Sequence, residues 1–237
     1  MHEGAKVVTV DAGAKTDFAA LKRNGVLAVV VRASAKRTPA KSDNKTSASQ
    51  QSTAPAQPSP EAETLGAAGA AGLLAALMLP LSDDMKGAID EAKLPDGSRL
   101  FIDVKDGTKP GDVSADVAKL RTIIGVNEPN LLLTVKIGQR TVREYESLFD
   151  GVLADWTDCW VHDDSREALA SGEPKWPKGT FARWRLWEWG EATLDDAKLP
   201  ASAYNGLDEE LERWFAGQAP PPARDLEQVS LQPSAQS

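Results

Sequence analysis

The chain repeatedly passes from a short apolar run straight into charge. The sharpest instance is Leu100-Phe101-Ile102, which follows the turn dipeptide Asp96-Gly97 and breaks into Asp103-Val104-Lys105-Asp106-Gly107. A strand that is apolar on both faces has to be covered on both faces, as in a parallel sheet flanked by helices. When the strands of such a sheet close into a barrel, their C-terminal ends converge on one rim, and polar groups placed there share a site. With a side-chain period of two, Asp103 and Lys105 point to the same side of their strand.

The same pattern starts the chain. Residues 7–10 are a buried strand ending at Asp11. Thr16 or Asp17 can cap a short helix carrying Phe18, Leu21 and Lys22, which Gly25 stops. A second apolar strand, 26–31, runs into Arg32-Ala33-Ser34. Two strands without polar alternation, joined by a helix, form a parallel βαβ unit. Residues 35–64 interrupt it. They are rich in Ser, Ala, Pro, Gln, Lys and Thr, with no side chain able to seed a core, and are expected to be a disordered insertion. Residues 65–82 carry no charge. Their Ala and Gly content makes a membrane span a poor reading, and a helix over 65–72 followed by a strand over 73–79 is expected.

Further on, helices are expected at 85–89, 113–124, 142–149 and 209–215, with strands at 131–137, within 151–161 and at 181–189. Residues 218–237 are a Pro/Gln/Ser-rich tail. The expected fold is α/β, a single irregular (β/α) TIM-like barrel over 5–217, interrupted by the insertion.

Composition closes off several functions. The net charge of −8 argues against a general nucleic-acid or anionic-membrane binder. One cysteine and two histidines leave no disulfide and no Cys- or His-rich metal site, so no metal or other cofactor is expected. Residues 1–4 have neither a basic n-region nor an apolar h-region, and a cytoplasmically made protein with no secretory signal peptide is expected.

What remains is a set of acids and indoles. Asp11, Asp103, Asp106 and Asp163 or Asp164 fall at expected strand ends, Glu188 lies between Trp187 and Trp189, and Asp208 follows Asn205-Gly206-Leu207. Each aspartate alone suits a turn or a helix cap. Each tryptophan alone suits a core. Several acids converging beside indoles suit a carbohydrate, since acids act on the glycosidic oxygen and the oxocarbenium charge while indoles stack on sugar faces.

At these residues the chain resembles the glycoside hydrolase family 25 lysozymes, the muramidases of phage endolysins and bacterial autolysins. Thr9-Val10-Asp11 resembles the family's first-strand Ile-Asp motif. Asp17-Phe18, Leu21-Lys22 and Gly25, then Val29-Val30-Val31-Arg32-Ala33-Ser34, resemble its first helix and second strand. Phe101-Ile102-Asp103-Val104-Lys105 falls where the family has an Asp-x-Glu strand. Cys159-Trp160-Val161-His162-Asp163 and Leu186-Trp187-Glu188-Trp189 resemble its two later aromatic strands. Gly206-Leu207-Asp208, with Leu211, Phe215 and Gly217, resembles its closing segment.

The resemblance implies a barrel that cleaves the β-1,4 bond after N-acetylmuramic acid in peptidoglycan, at the cell wall or in a virion. It places Asp11, Asp103 and Asp208 at family acidic positions, with Glu188 where the family has Gln. It makes Trp160, Asp163, Trp187, Trp189 and Asp106 the expected substrate contacts. Lys105 departs from it, standing at the position of the catalytic glutamate. An ammonium holds its proton too tightly to protonate a glycosidic oxygen, and it sets a cation where an oxocarbenium ion would form. Two expectations follow. Either Glu188 or Asp106 replaces the missing acid, or the chain is a glycan-binding or phage structural module with hydrolysis lost.

Overall fold

A computed structural model describes residues 5–33, 58–82, 87, 89, 99–104, 115, 118, 132–138, 159–174 and 184–216. The described strands are β1 (Val7–Asp11), β2 (Ala28–Arg32), β3 (Leu74–Pro80), β4 (Arg99–Val104), β5 (Leu132–Gly138), β6 (Cys159–His162), β7 (Trp184–Leu194) and β8 (Ala197–Tyr204). They pair in sequence order and close into a barrel, with β1 hydrogen-bonded to β8. β1 to β7 are mutually parallel, while β8 is antiparallel to both neighbours, so the sheet is mixed. The described helices are α1 (Phe18–Arg23), α2 (Pro60–Ala70), α3 (Arg166–Ser171) and α4 (Asp208–Phe215).

The strand alternation sorts the core into two layers. Val8, Val10, Val29, Val31, Leu77, Leu79, Leu100 and Ile102 face outward and pack with Phe18 and Leu21 of α1 and Ala68 of α2. Val7, Ala28, Val30, Ala76, Met78, Phe101, Trp160 and Leu186 face into the barrel. This is why the sequence runs are apolar without a polar beat: one face meets helices and the other meets the barrel interior. α4 closes the bottom, its Leu211, Trp214 and Phe215 joining the interior cluster. Phe101 meets Trp160 and Trp214 edge-on, at centroid distances of 5.0 and 5.8 Å. Arg99, at the N-terminal end of β4, stacks 4.1 Å over the Trp214 ring and donates to the Trp214 carbonyl at 2.6 Å. The ring face and the carbonyl together offset part of the cost of burying this guanidinium.

Besides the short α3, which has no counterpart among the expected helices, two elements depart from expectation. α2 starts at Pro60, inside the segment expected to be disordered and five residues before the expected helix. Its start signals are local: Ser59 is the N-cap, accepting from the Ala62 N–H at 3.2 Å, Pro60 opens the helix, and Glu61 and Glu63 sit in the first turn. The Gly13 N–H donates to Thr64 Oγ1 at 3.0 Å, tying this turn to the loop after β1.

The second departure is β8, which has no counterpart among the expected strands. β7 runs past Glu188 into a hairpin that returns as β8 through Asp195-Asp196. The register shifts between Glu188 and Gly190, where Gly190 has φ +140°, a conformation open to glycine. Beyond this bulge the hairpin leans on the outer layer through Leu194 and Leu199, and Asp195 reaches Asn24 after α1 at 3.5 Å.

Among the described residues no helix is long and apolar enough to cross a membrane. Of the helices expected at 85–89 and 113–124, only residues 87 and 89 and residues 115 and 118 are described, each helical; the helix expected at 142–149, the tail 218–237, and residues 35–57 lie outside the described residues.

Candidate functional site

The upper rim of the barrel is built by strand periodicity. Val7 faces inward on β1, so Thr9 and Asp11 face the same way, and Asp11 is the last residue of its strand. On β2 the inward series Ala28 and Val30 ends at Arg32, and on β4 the series Arg99 and Phe101 ends at Asp103. On β6 Trp160 lies inside and His162 follows two residues later; on β7 Leu186 leads likewise to Glu188. Asp11, Arg32, Asp103, His162 and Glu188 therefore share the C-terminal end of the barrel. Their floor is aromatic, made of Phe101 and Trp160.

Within this rim two pairs form. Asp11 is 70% exposed and meets Arg32 at 3.5 Å, a solvated pair that contributes at most about 1 kcal/mol. Glu188 is different. It is only 5% exposed, and its Oε1 lies 2.8 Å from His162 Nδ1. The two residues are register partners on neighbouring parallel strands, so the backbone ladder sets the contact. A carboxylate this deeply buried is stabilised by its partner, and in its ionised form it only accepts, so that form of Glu188 holds the ring with the hydrogen on Nδ1. His162 is 38% exposed at its side chain and so joins the buried acid to the open mouth. Sequence reasoning noted His162 only as part of a motif. The signal that could have singled it out is its spacing of two from Trp160, matched by the spacing of Glu188 from Leu186.

The other expected site residues are distributed differently. Asp208 opens α4 and pairs with Lys6 at 3.0 Å. Lys6 precedes β1, so this pair lies at the opposite end of the barrel from Asp11, about 16 Å along the strand. The pair borders a shallow cavity with Tyr204, Gly206 and Leu207. Trp160 is fully buried beneath the rim, and Trp187 is fully buried on the outer side of β7. Trp187 donates from Nε1 to the Asp163 carbonyl at 2.8 Å and meets Trp184 edge-on at 6.4 Å. Neither indole presents a face to a sugar, because each is used in packing. Asp163 is buried as well, its carboxylate accepting the Ser165 N–H at 3.1 Å in the turn that starts α3. Trp189 is partly buried and packs on the outer layer. Lys105 and Asp106 lie outside the described residues. Among the described residues no group of His, Cys, Asp and Glu is arranged to hold a metal ion.

No protein-family model matches the chain, and no curated protein does. Its fold matches a solved structure of GHIP, a glycosyl hydrolase 25 virulence factor of Streptococcus pneumoniae participating in host cell invasion. The two share 14% sequence identity at a TM-score of 0.57, over 92% of this chain and 95% of that one. At that identity the likeness carries the architecture: this chain has the α/β fold of a glycosyl hydrolase 25 protein.

Proposed function

We propose that this chain is a lysozyme-like (β/α) barrel of the TIM type that engages the glycan strands of bacterial peptidoglycan, with hydrolysis lost or much reduced at Lys105. The supporting observation is the acid-bearing mouth of a barrel with the glycosyl hydrolase 25 fold, where β1, β4 and β7 each deliver a carboxylate. Such a mouth suits the oxocarbenium-like charge that develops when a glycosidic bond breaks. The proton donor is what the inherited arrangement lacks, because Lys105 occupies the expected glutamate position.

The test is sedimentation with purified peptidoglycan, together with release of reducing ends, for the wild type and Lys105→Glu. The wild type is expected to sediment with the wall and to release ends roughly 100-fold or more slowly than the variant, the usual worth of a positioned acid. Equal rates in the two proteins would remove Lys105 from the account. The burial of Trp160 and Trp187 favours a second reading, a barrel kept as a structural module, for example in a phage particle. Failure to bind any cell-wall fraction selects that reading.

A further inference from the structure

We propose that His162 is the proton-transferring group of this barrel and that Glu188 is its positioning residue. This rests on the reading of the site as a glycan site. Four observations meet at this pair. His162, at the C-terminal end of β6, and Glu188, just before the bulge in β7, are register partners. The imidazole Nδ1 lies 2.8 Å from the carboxylate. Glu188 is almost wholly buried, whereas His162 is more than a third exposed at the mouth. The aromatic floor of Phe101 and Trp160 lies directly below, so the imidazole stands over a wall that excludes water from one side.

The chemistry follows from which group can reach a ligand. Glu188 is buried, and its Oε1 already holds the imidazole, so a glycosidic oxygen at the mouth meets His162 first. With Nδ1–H held by the carboxylate, the ring exchanges its proton at Nε2, the tautomer control that a buried carboxylate imposes on a catalytic histidine. In the first step the imidazolium gives the Nε2 proton to the glycosidic oxygen as the C1–O bond breaks. The bonding pair leaves with that oxygen, and the departing sugar gains a hydroxyl. The anomeric carbon is left with the oxocarbenium charge, which the rim carboxylate Asp103 opposes. In the second step water adds to that carbon and returns one proton to Nε2. One water is consumed, nothing is oxidised or reduced, and His162 ends as it began. An imidazolium donates its proton far more readily near neutral pH than an ammonium does, so this route persists where Lys105 has closed the inherited one.

The experiment measures slow release of reducing ends from purified peptidoglycan by the full-length chain. Wild type is compared with His162→Gln, His162→Gly and Glu188→Gln, each checked by thermal unfolding and wall sedimentation. His162→Gln should lose release at least 100-fold while still binding the wall. His162→Gly should regain part of the rate when imidazole is added to the buffer, a recovery that a structural histidine would not give. Glu188→Gln should lower kcat about 100-fold with KM little changed, because the ring is still present but its tautomer is no longer held. Wall binding with no wild-type turnover would overturn the inference and leave the glycan reading standing. Release that survives in His162→Gln would also overturn it. Absence of wall binding would overturn both.

Discussion

Asp208 and Glu188 show how differently two carboxylates expected in one site can be placed. Asp208 is half exposed on the first turn of α4 and paired with Lys6 below the barrel. Its position at a helix N-terminus explains the acid, since three carboxylates, Asp208, Glu209 and Glu210, offset the exposed N–H groups there, and Glu210 accepts the Leu207 N–H at 3.0 Å. Asp208→Asn is therefore expected to leave wall sedimentation unchanged and to cost less than about 1 kcal/mol in urea unfolding, as for other solvated pairs. A loss of wall binding in that variant would return Asp208 to the site. Glu188 has the opposite character, an acid buried away from solvent with an imidazole 2.8 Å from its Oε1.

Among the elements, the β7–β8 hairpin carries the most consequence. It closes the barrel, since β8 alone joins β7 to β1. It does so with an antiparallel strand, which allows a two-residue return where a parallel partner would need a long crossover. The bend that swings its tip onto the outer layer passes through Gly190. Gly190→Ala would meet no atom within 4 Å, yet at φ +140° an L side chain is strained. A loss of about 1–3 kcal/mol in thermal or urea unfolding is expected, all of it from the backbone. A neutral result would mean that the hairpin leaves the wall by another path. The hairpin also explains why β8 was not legible in advance. Its sequence, Ala197 to Tyr204, includes Lys198 and Pro200 and offers little apolar periodicity. Ala201 and Ser202 are buried by being paired with β1, a long-range fact with no local trace.

For the molecule as a whole, α4 is the plug that makes the barrel a packed body. Trp214 touches Phe101, Tyr204 and Phe215 and lies under the Arg99 guanidinium. Trp214→Ala removes the largest side chain of α4 from a fully buried position and leaves the bottom of the barrel open. A loss of about 3–5 kcal/mol in urea unfolding is expected, the usual cost of emptying an aromatic site in a core. Stability within 1 kcal/mol of wild type would show that α4 is dispensable to the barrel, contrary to its burial.

Local chemistry was enough to read β1, β2, β3, β4 and β5, because a strand covered on both faces needs an unbroken apolar run. It was also enough to place Asp11 and Asp103 at the ends of their strands, since a period of two carries an inward face from the core to the rim, whereas Glu188 lies mid-strand because β7 runs on to Leu194. Ser59 and Pro60 held a helix start that their surrounding composition obscured. The destination of the tryptophans was not readable. Trp160 and Trp187 stand in similar company, yet one lines the barrel floor and the other the outer wall. Which face a strand turns inward, and at what height, depends on register against its neighbours, and register is set only when all eight strands close together. The same closure separates Asp208 from Asp11 and brings His162 to Glu188 across twenty-six positions of sequence.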